Sequence, residues 1–513
     1  MENNKTVKLE RKKNAIAGTK AGILLRIYRI VGPFLLRTVF LYTLGVEYLG
    51  LDSLFTSIIQ VLNIAELGVG TALVFSMYEP ISKDENLKIC ALLKLYKYYY
   101  RIIGCVVLTV GIGISPFLPK LIKNGIPSDM NLFILYYMNL FATVLSYWLF
   151  SYRNSLFNAY QRTDVISWVG IFTNTIRYVA QILILLIFKN YYAYLFFSIF
   201  EQVINNLLIA YYSKKYFPKI SATGDVDKKT KSKINRTVKD LFFSKLGQVI
   251  TNSFDTVVIS VFLGLSYLAI YQNYYYIISS IIAMFTILYR ACLAGFGNSL
   301  LTETQKKNYS DFNKLTYVIC FALNFCVSCL LCLYTPFMYL WLRKESLILN
   351  YIYVILFTIY FLVYEITMLL EVYKDAAGNW HKDRFRPLIA SVVNLITNIM
   401  LVKLIGLYGI IISTIISYLF INIPWIYKRL FRDVFYEISA KEYAFKLLKY
   451  LFVIIFSACV CANVCGYVKL GNNILQFIFN GVICLIFSCL FFWIFTFKSQ
   501  EYTSILEYLR RKK

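Results

Sequence analysis

The sequence predicts an all-α integral membrane protein with fourteen transmembrane helices. Twelve are expected to form two six-helix lobes related by an internal repeat around a central cavity, and two extra helices follow at the C-terminal end. Three observations lead to this prediction. The 513 residues are 59% hydrophobic with a mean hydropathy of +0.61, which is far more apolar than a soluble protein. Lysine and arginine alternate in density from loop to loop, and two loop motifs recur at a fixed offset.

The apolar stretches number fourteen, and most approach or exceed the ~20 residues that a helix needs to cross a bilayer. They lie at 23–44, 51–77, 98–118, 131–152, 165–188, 192–212, 241–263, 268–294, 316–333, 350–371, 387–405, 409–426, 450–467 and 474–497. Because the number is even, both termini are expected on the same side of the membrane.

The basic residues orient these spans. Loops and tails on the side of the termini hold thirty-nine lysines and arginines, the opposite loops hold six, and the spans hold eight. The positive-inside rule therefore places both termini in the cytoplasm. The net charge of +26 is explained by this topology and by contact with anionic lipid, not by nucleic-acid binding. No cleavable signal peptide is visible, and no outer loop is long enough to carry catalytic residues.

An internal repeat divides the chain. Leu44-Gly45-Val46-Glu47-Tyr48-Leu49 follows span one and Leu263-Gly264-Leu265-Ser266-Tyr267-Leu268 follows span seven, an offset of 219 residues. Asp164 and Asp383 end short basic loops after spans four and ten with the same offset. Parallel six-helix repeats are typical of transporters whose two lobes rock around a cavity. We expect an N-lobe at 1–225, a C-lobe at 226–430, and spans thirteen and fourteen with the tail at 431–513.

Three arginines lie on one face of the first span. Arg26, Arg29 and Arg37 fall within an arc of about 80° when each residue turns by about 100°. An arginine at mid-bilayer costs about 2.5–3.5 kcal/mol even on the most lenient scale, so this face is not expected to contact lipid. The arginines either extend to the headgroups or line a water-filled cavity. Arg37 lies past the middle of the span, where extension to the cytoplasmic headgroups is hardest, and a cationic cavity implies an anionic cargo.

Other spans carry polar residues on one face as well. Lys245 and Asp255 share a face of span seven, Arg177 lies on span five, and Arg290 lies late in span eight. The alternative for such residues is a bond between helices, for example an ion pair of Arg177 with Glu201. Since guanidinium groups bind phosphate in a bidentate manner, several arginines in one cavity favour a diphosphate over a neutral sugar or a cationic drug.

The cysteines and histidine give little sign of a metal site. The chain has one histidine and twelve cysteines, so a histidine site is excluded. Cys326, Cys329 and Cys332 have the spacing of ligands, but they lie in an apolar span where cysteine packs as a small hydrophobic residue. We expect no metal, no cofactor and no catalytic residue, and the chain is not expected to be an enzyme.

Several motifs together resemble a known family. They are Leu44–Phe55, Ala65–Ala72, Tyr78–Ile81, Asn252–Asp255, Leu263-Gly264, Tyr271–Tyr275, Lys382–Pro387, Asn394 and Lys403–Gly409. From span one to span twelve the chain resembles the polysaccharide-biosynthesis flippases, the Wzx-type branch of the multidrug/oligosaccharidyl-lipid/polysaccharide (MOP) exporter superfamily. The resemblance implies a bacterial plasma-membrane protein that moves an undecaprenyl-diphosphate-linked oligosaccharide to the outer leaflet for capsule, O-antigen or exopolysaccharide assembly.

The resemblance also implies site residues. Arg29, Arg37 and Arg290 match arginines of spans one and eight on which relatives depend, and with Arg177 and Lys245 they form the predicted substrate-binding set. Some relatives bind sodium with residues of spans seven, eleven and twelve, for which Asp255, Asn394, Asn398 and Thr414 are the matching positions. A sodium or proton gradient is thus the expected coupling source, although span eleven offers two asparagines and no carboxylate.

The expected partners are the lipid-linked substrate, the bilayer and glycan polymerase machinery, and the expected working unit is a monomer because both lobes lie on one chain. A multidrug/cation antiporter of the same superfamily is the main alternative, and a membrane glycan polymerase or ligase is a second. The arginines argue against the first, and the short outer loops argue against the second.

Overall fold

A computed structural model describes residues 11–123, 126–127, 129–378, 383–468 and 470–511. Within these ranges every regular element is a helix and no strand is present. We number the α-helices α1 Arg11–Thr43, α2 Val46–Leu62, α3 Val69–Ser82, α4 Asn86–Ile114, α5 Leu132–Trp148, α6 Asn154–Ala159, α7 Thr163–Ile187, α8 Tyr191–Tyr216, α9 Lys228–Phe262, α10 Leu265–Thr302, α11 Gln305–Leu342, α12 Tyr351–Ala376, α13 Arg386–Ile405, α14 Leu407–Ser417, α15 Ile423–Asp433, α16 Ala440–Tyr467, α17 Asn473–Thr496 and α18 Gln500–Arg511.

The predicted apolar stretches all lie on these helices and the short turns that join them. Among the described residues, eleven helical segments are long and apolar enough to cross a membrane, or twelve if α5 and Ser151–Ala159, bent by 49°, form one span. Helix α9 adds a shorter apolar stretch, Val249–Phe262. The all-α membrane class is thus confirmed. The count of fourteen and the cytoplasmic position of both termini stay predictions.

The chain divides into two compact units, Met1–Ala269 and Ile270–Lys513. In the first unit α1 packs along α7, α7 packs against α8, and α2 packs against α9. In the second unit α13 packs against α14, and α11 lies against α12, α16 and α17. The predicted lobe boundaries after residues 225 and 430 stay predictions.

Helix α11 binds the C-terminal helices through polar as well as apolar groups. Asn324 donates from Nδ2 to the carbonyl oxygen of Ser488 at 2.7 Å. The hydroxyl of Thr316 lies 3.1 Å from that of Tyr443. Since Asn324 and Thr316 are buried, these bonds satisfy polar atoms that would otherwise be costly in an apolar bundle. Helices α16 and α17 are therefore integral to the second unit.

Glycine forms the turn in both copies of the Leu-Gly-x-x-Tyr-Leu motif. Gly45 has φ of 106° between α1 and α2, and Gly264 has φ of 97° between α9 and α10. Positive φ is readily adopted only by glycine, so the motif encodes the same kind of tight turn between consecutive helices at both places. Gly50 has a different role, because a Cβ there would lie 2.1 Å from the carbonyl oxygen of Leu265.

The two aspartates of the repeat are both ion-paired. Asp164 accepts two hydrogen bonds of 3.0 Å from the guanidinium of Arg162, and these bonds raise the pKa of Arg162. Asp383 is buried and accepts from Lys374 at 2.7 Å and from Arg386 at 3.0 Å. The aspartate at this motif position thus forms a partly exposed ion pair in the first unit, and in the second unit it lies at the centre of a buried ion-pair network.

The close approach at Gly50 predicts a packing effect. Gly50→Ala should lower the free energy of unfolding by about 1–3 kcal/mol, because the added methyl group forces α2 away from the start of α10. The thermal unfolding temperature in detergent measures it. Gly22→Ala is the matched control, since a Cβ at Gly22 meets nothing within 4 Å. Equal unfolding temperatures for the two variants would contradict the prediction.

The paired aspartates predict unequal stability losses. Asp383→Asn should destabilise the fold by about 1.5–3 kcal/mol, because it removes one of the acids that the buried Lys374 and Arg386 share and leaves them with Glu371 and, for Lys374, Asp375. Asp164→Asn should cost less than about 1 kcal/mol, because its pair with Arg162 is partly exposed. Thermal unfolding of both variants tests this, and losses of similar size would show that burial is not the cause.

Candidate functional site

The arginine face of α1 lies beside α7 in the first unit. Arg29 is exposed, and its Nη2 lies 3.9 Å from where a Cβ would stand on Gly170 of α7. A Cβ at position 170 would meet the guanidinium at an ordinary van der Waals distance, so Arg29 lies directly beside α7 at this glycine. Arg29 makes no hydrogen bond or ion pair with any residue that the structure describes. Its charge is therefore available to a ligand.

Arg37 lies two turns further along the same helix and is half-buried. Its Nη2 is 3.5 Å from the carbonyl oxygen of Ala269, which is at the long limit of a hydrogen bond. It is also one of two arginines whose charges act on Asp52 of α2. Asp52 accepts a hydrogen bond of 3.0 Å from the hydroxyl of Tyr191, so this acid has both a neutral donor and cationic neighbours.

Arg177 of α7 is the second arginine near Asp52, and it is held by neighbours. Its Nη2 donates to Asn174 Oδ1 at 2.9 Å, and its Nη1 lies 4.0 Å from Glu201 Oε2 on α8. Glu201 also accepts from the hydroxyl of Thr173 at 2.7 Å. The ion pair that the sequence left open as an alternative is thus present, and Arg177 joins the cluster as a residue that links α7 to α8.

Of the other two predicted basic residues, Lys245 and Arg290, the structure describes the side chain of Arg290 only. Lys245 lies on α9, but its side chain is outside the described part of the chain. Arg290 lies on α10 in the second unit, is exposed, and has no hydrogen bond or ion pair with a described residue. Its neighbour Tyr289 points the other way, is buried, and donates to Glu365 Oε2 at 3.0 Å.

The predicted ion-coupling residues fall in both units. Asn394, Asn398 and Thr414 are buried together between α13 and α14 of the second unit. Asn394 donates from Nδ2 to the Thr414 hydroxyl at 3.1 Å, and Asn398 donates to Asn394 Oδ1 at 3.2 Å. Ser413, which the sequence analysis missed, donates to Asn398 Oδ1. Asp255 is buried on α9 of the first unit, so the four are not a set within one unit.

The first unit contains a second polar cluster, around Glu66, which the sequence analysis did not predict as a cluster. Glu66 lies in a 3₁₀ turn, Asn63–Glu66, which separates α2 from α3. Its carboxylate accepts from the hydroxyl of Tyr100 and, at 2.9 Å, from the hydroxyl of Tyr147. The signals in the sequence are Asn63 and Glu66 themselves, polar residues within an apolar span, and Gly68, whose φ of 88° marks the interruption of the span. The two tyrosines come from α4 and α5 and give no local signal.

No known family profile matches the chain, and no characterised protein matches it in sequence. Solved structures do match. The lipid II flippase MurJ in an inward closed conformation is 16% identical, with a TM-score of 0.61 over 94% of this chain and 98% of MurJ.

Two further matches come from the same superfamily. A MATE transporter in a bent conformation is 16% identical, with a TM-score of 0.55 over 84% of this chain and 98% of its own. A MOP-superfamily transporter from Pyrococcus furiosus, described as having a binding pocket of reversed polarity, is 14% identical, with a TM-score of 0.55 over 84% of this chain and 99% of its own. The chain therefore has the fold of the MOP-superfamily transporters.

Proposed function

We propose that the chain is a lipid-linked oligosaccharide flippase, which moves a polyprenyl-diphosphate-linked oligosaccharide from the cytoplasmic to the outer leaflet of a bacterial plasma membrane. The product would feed capsule, O-antigen or exopolysaccharide assembly. The observation that carries the proposal is Arg29 in the first unit, an exposed arginine on a long apolar helix that has no counter-ion among the described residues. Arg290 in the second unit is a separate exposed arginine with the same property.

The balance of charge around α1 supports an anionic cargo. The acids nearest the arginine face, Asp52 and Glu201, already accept hydrogen bonds from Tyr191 and Thr173 and lie near arginines. Arg29 has no such compensation among the described residues. A guanidinium inside a membrane is costly unless an anion or water meets it, and a diphosphate offers several oxygens for bidentate binding. The diphosphate is thus the part of the substrate that these arginines would bind.

The fold supports movement of such a substrate by alternating access. Among the matching structures, MurJ is named as a flippase of lipid II, and the same fold also serves MATE transporters. In the proposed cycle the headgroup is carried past the arginines while the lipid tail stays in the bilayer. A cationic drug is the alternative cargo, and it would need an acid without a cationic neighbour, which Asp52 and Glu201 are not.

The coupling ion is part of the proposal. Amide and hydroxyl oxygens are suitable ligands for a hard monovalent cation, and Asn394, Asn398 and Thr414 gather such oxygens in the second unit. Asp255 supplies a carboxylate in the first unit. We treat them as two separate candidates for a sodium or proton requirement.

The arginine assignment predicts selective loss of transport. In proteoliposomes with a labelled polyprenyl-diphosphate oligosaccharide, Arg29→Ala and Arg37→Ala should lower the initial rate at least about tenfold, since each removes a charge-assisted contact worth about 1.5–3 kcal/mol. Arg37→Lys should keep part of the rate. Arg236→Ala, at an exposed arginine in the polar N-terminal part of α9, is the matched control. Wild-type rates in both alanine variants, or arginine-independent uptake of ethidium, would favour the antiporter.

The ion assignment predicts loss of gradient dependence. If sodium couples through Asp255, then Asp255→Asn should make the transport rate insensitive to a sodium gradient while gradient-free exchange continues. Asn398→Ala tests the second-unit candidate in the same way, with a proton gradient as the parallel arm. An unchanged response to both gradients in both variants would exclude these residues from coupling.

A further inference from the structure

Five cysteines that are far apart in the sequence converge in the second unit. Cys332 of α11, Cys465 of α16 and Cys484 of α17 are buried, and their sulfur atoms all lie within 4.8 Å of one another. Cys484 also lies against the thiols of Cys329 and Cys461. The three helices pack against each other, so the thiols meet at the point where all three come together.

The placement follows from helical spacing. Cys329 and Cys332 are three residues apart on α11, and Cys461 and Cys465 are four apart on α16, so each pair shares one face of its helix. Cys484 faces both pairs from α17 and is fully buried. The three-residue spacing on α11 is visible in the sequence, but the thiols that complete the group are more than 120 residues away.

The geometry suits a soft metal ion. Zinc binds thiolates at about 2.3 Å, which places the sulfurs of a tetrahedral site about 3.8 Å apart. The three sulfurs within 4.8 Å would approach by up to about 1 Å to reach that spacing. Thiolates select zinc and monovalent copper over hard cations such as Mg²⁺ or Ca²⁺. Cys461 and Cys329 lie against Cys484 outside this group of three, and either would move toward the ion to act as a fourth ligand.

We propose that Cys332, Cys465 and Cys484, with Cys461 or Cys329 as a fourth ligand, bind one thiophilic d¹⁰ metal ion, Zn²⁺ or Cu⁺. Each thiol that becomes a ligand releases its proton to water, and no oxidation is involved. Cys465 lies two residues before the end of α16 at Tyr467, and residues 466–468 beyond it are exposed. The site is independent of the proposed transport function.

The metal ion would cross-link three helices of the second unit. It joins α16 and α17 to α11, and Cys332 and Cys484 are separated by most of the second unit's sequence. Binding to a site that exists only in the folded chain adds its free energy to folding. The ion would therefore stabilise the packing of α16 and α17 against α11.

Metal content of the purified full chain tests the proposal. Cells are grown with added Zn²⁺ or, in a second arm, Cu⁺, and metal is measured by elemental mass spectrometry. The wild type should carry about one ion per chain, and Cys484→Ala should lower the content at least about tenfold. Cys320→Ala, a fully buried cysteine of α11 outside the cluster, should retain the ion. A strong chelator should lower the unfolding temperature of the wild type and of Cys320→Ala only.

Two further measurements keep the test decisive. If Cys484→Ala fails to fold, Cys332→Ala and Cys465→Ala replace it, and Cd²⁺ added to the wild type should produce a thiolate-to-metal charge-transfer band. A metal-free wild type whose twelve cysteines all react with a thiol reagent after denaturation would overturn the proposal. A loss of two reactive thiols without metal would also overturn it, in favour of a disulfide.

Discussion

The structure depends on how charge is accommodated inside an apolar bundle. An ionised group in a bilayer needs a partner, water or a route to the headgroups. In the first unit the acids are met from several helices: Asp52 by Tyr191, Glu66 by Tyr100 and Tyr147, and Glu201 by Thr173 and Arg177. These contacts tie together α2, α4, α5, α7 and α8. Arg29 has no such compensation among the residues that the structure describes, so its charge is available to a ligand.

Tyrosine has a particular part in this arrangement. Its hydroxyl donates a hydrogen bond to a carboxylate without adding a charge, whereas a lysine or arginine would neutralise the acid and add a cation to the membrane. Tyr289 and Glu365 repeat the same acid–tyrosine contact in the second unit, between α10 and α12. The acids are therefore stabilised locally without use of the exposed arginines, whose charge is the feature on which the proposed diphosphate cargo depends.

The features that sequence could predict are those encoded within one helix or one turn. Hydropathy located the helices, and Gly45 and Gly264 marked equivalent turns because only glycine adopts positive φ easily. Asn394 and Asn398 share a face and do lie together. The structure added what sequence spacing cannot report: Ser413 beside Asn398, the tyrosines around Glu66, and the meeting of Cys332 with Cys465 and Cys484. Each of these joins helices whose contact depends on packing.

The polar bonds from α11 to the last two membrane helices have an evolutionary consequence. A chain that ended after α15 would take from Asn324 its bond to Ser488, and would leave the Thr316 hydroxyl with its bond to Phe312 of the same helix but without Tyr443. Loss or gain of this helix pair therefore changes the polar bonding of α11 as well as the length of the chain. We expect exchange of Asn324 for an apolar residue to accompany it, so the composition of that face should distinguish relatives that have the two helices from relatives that lack them.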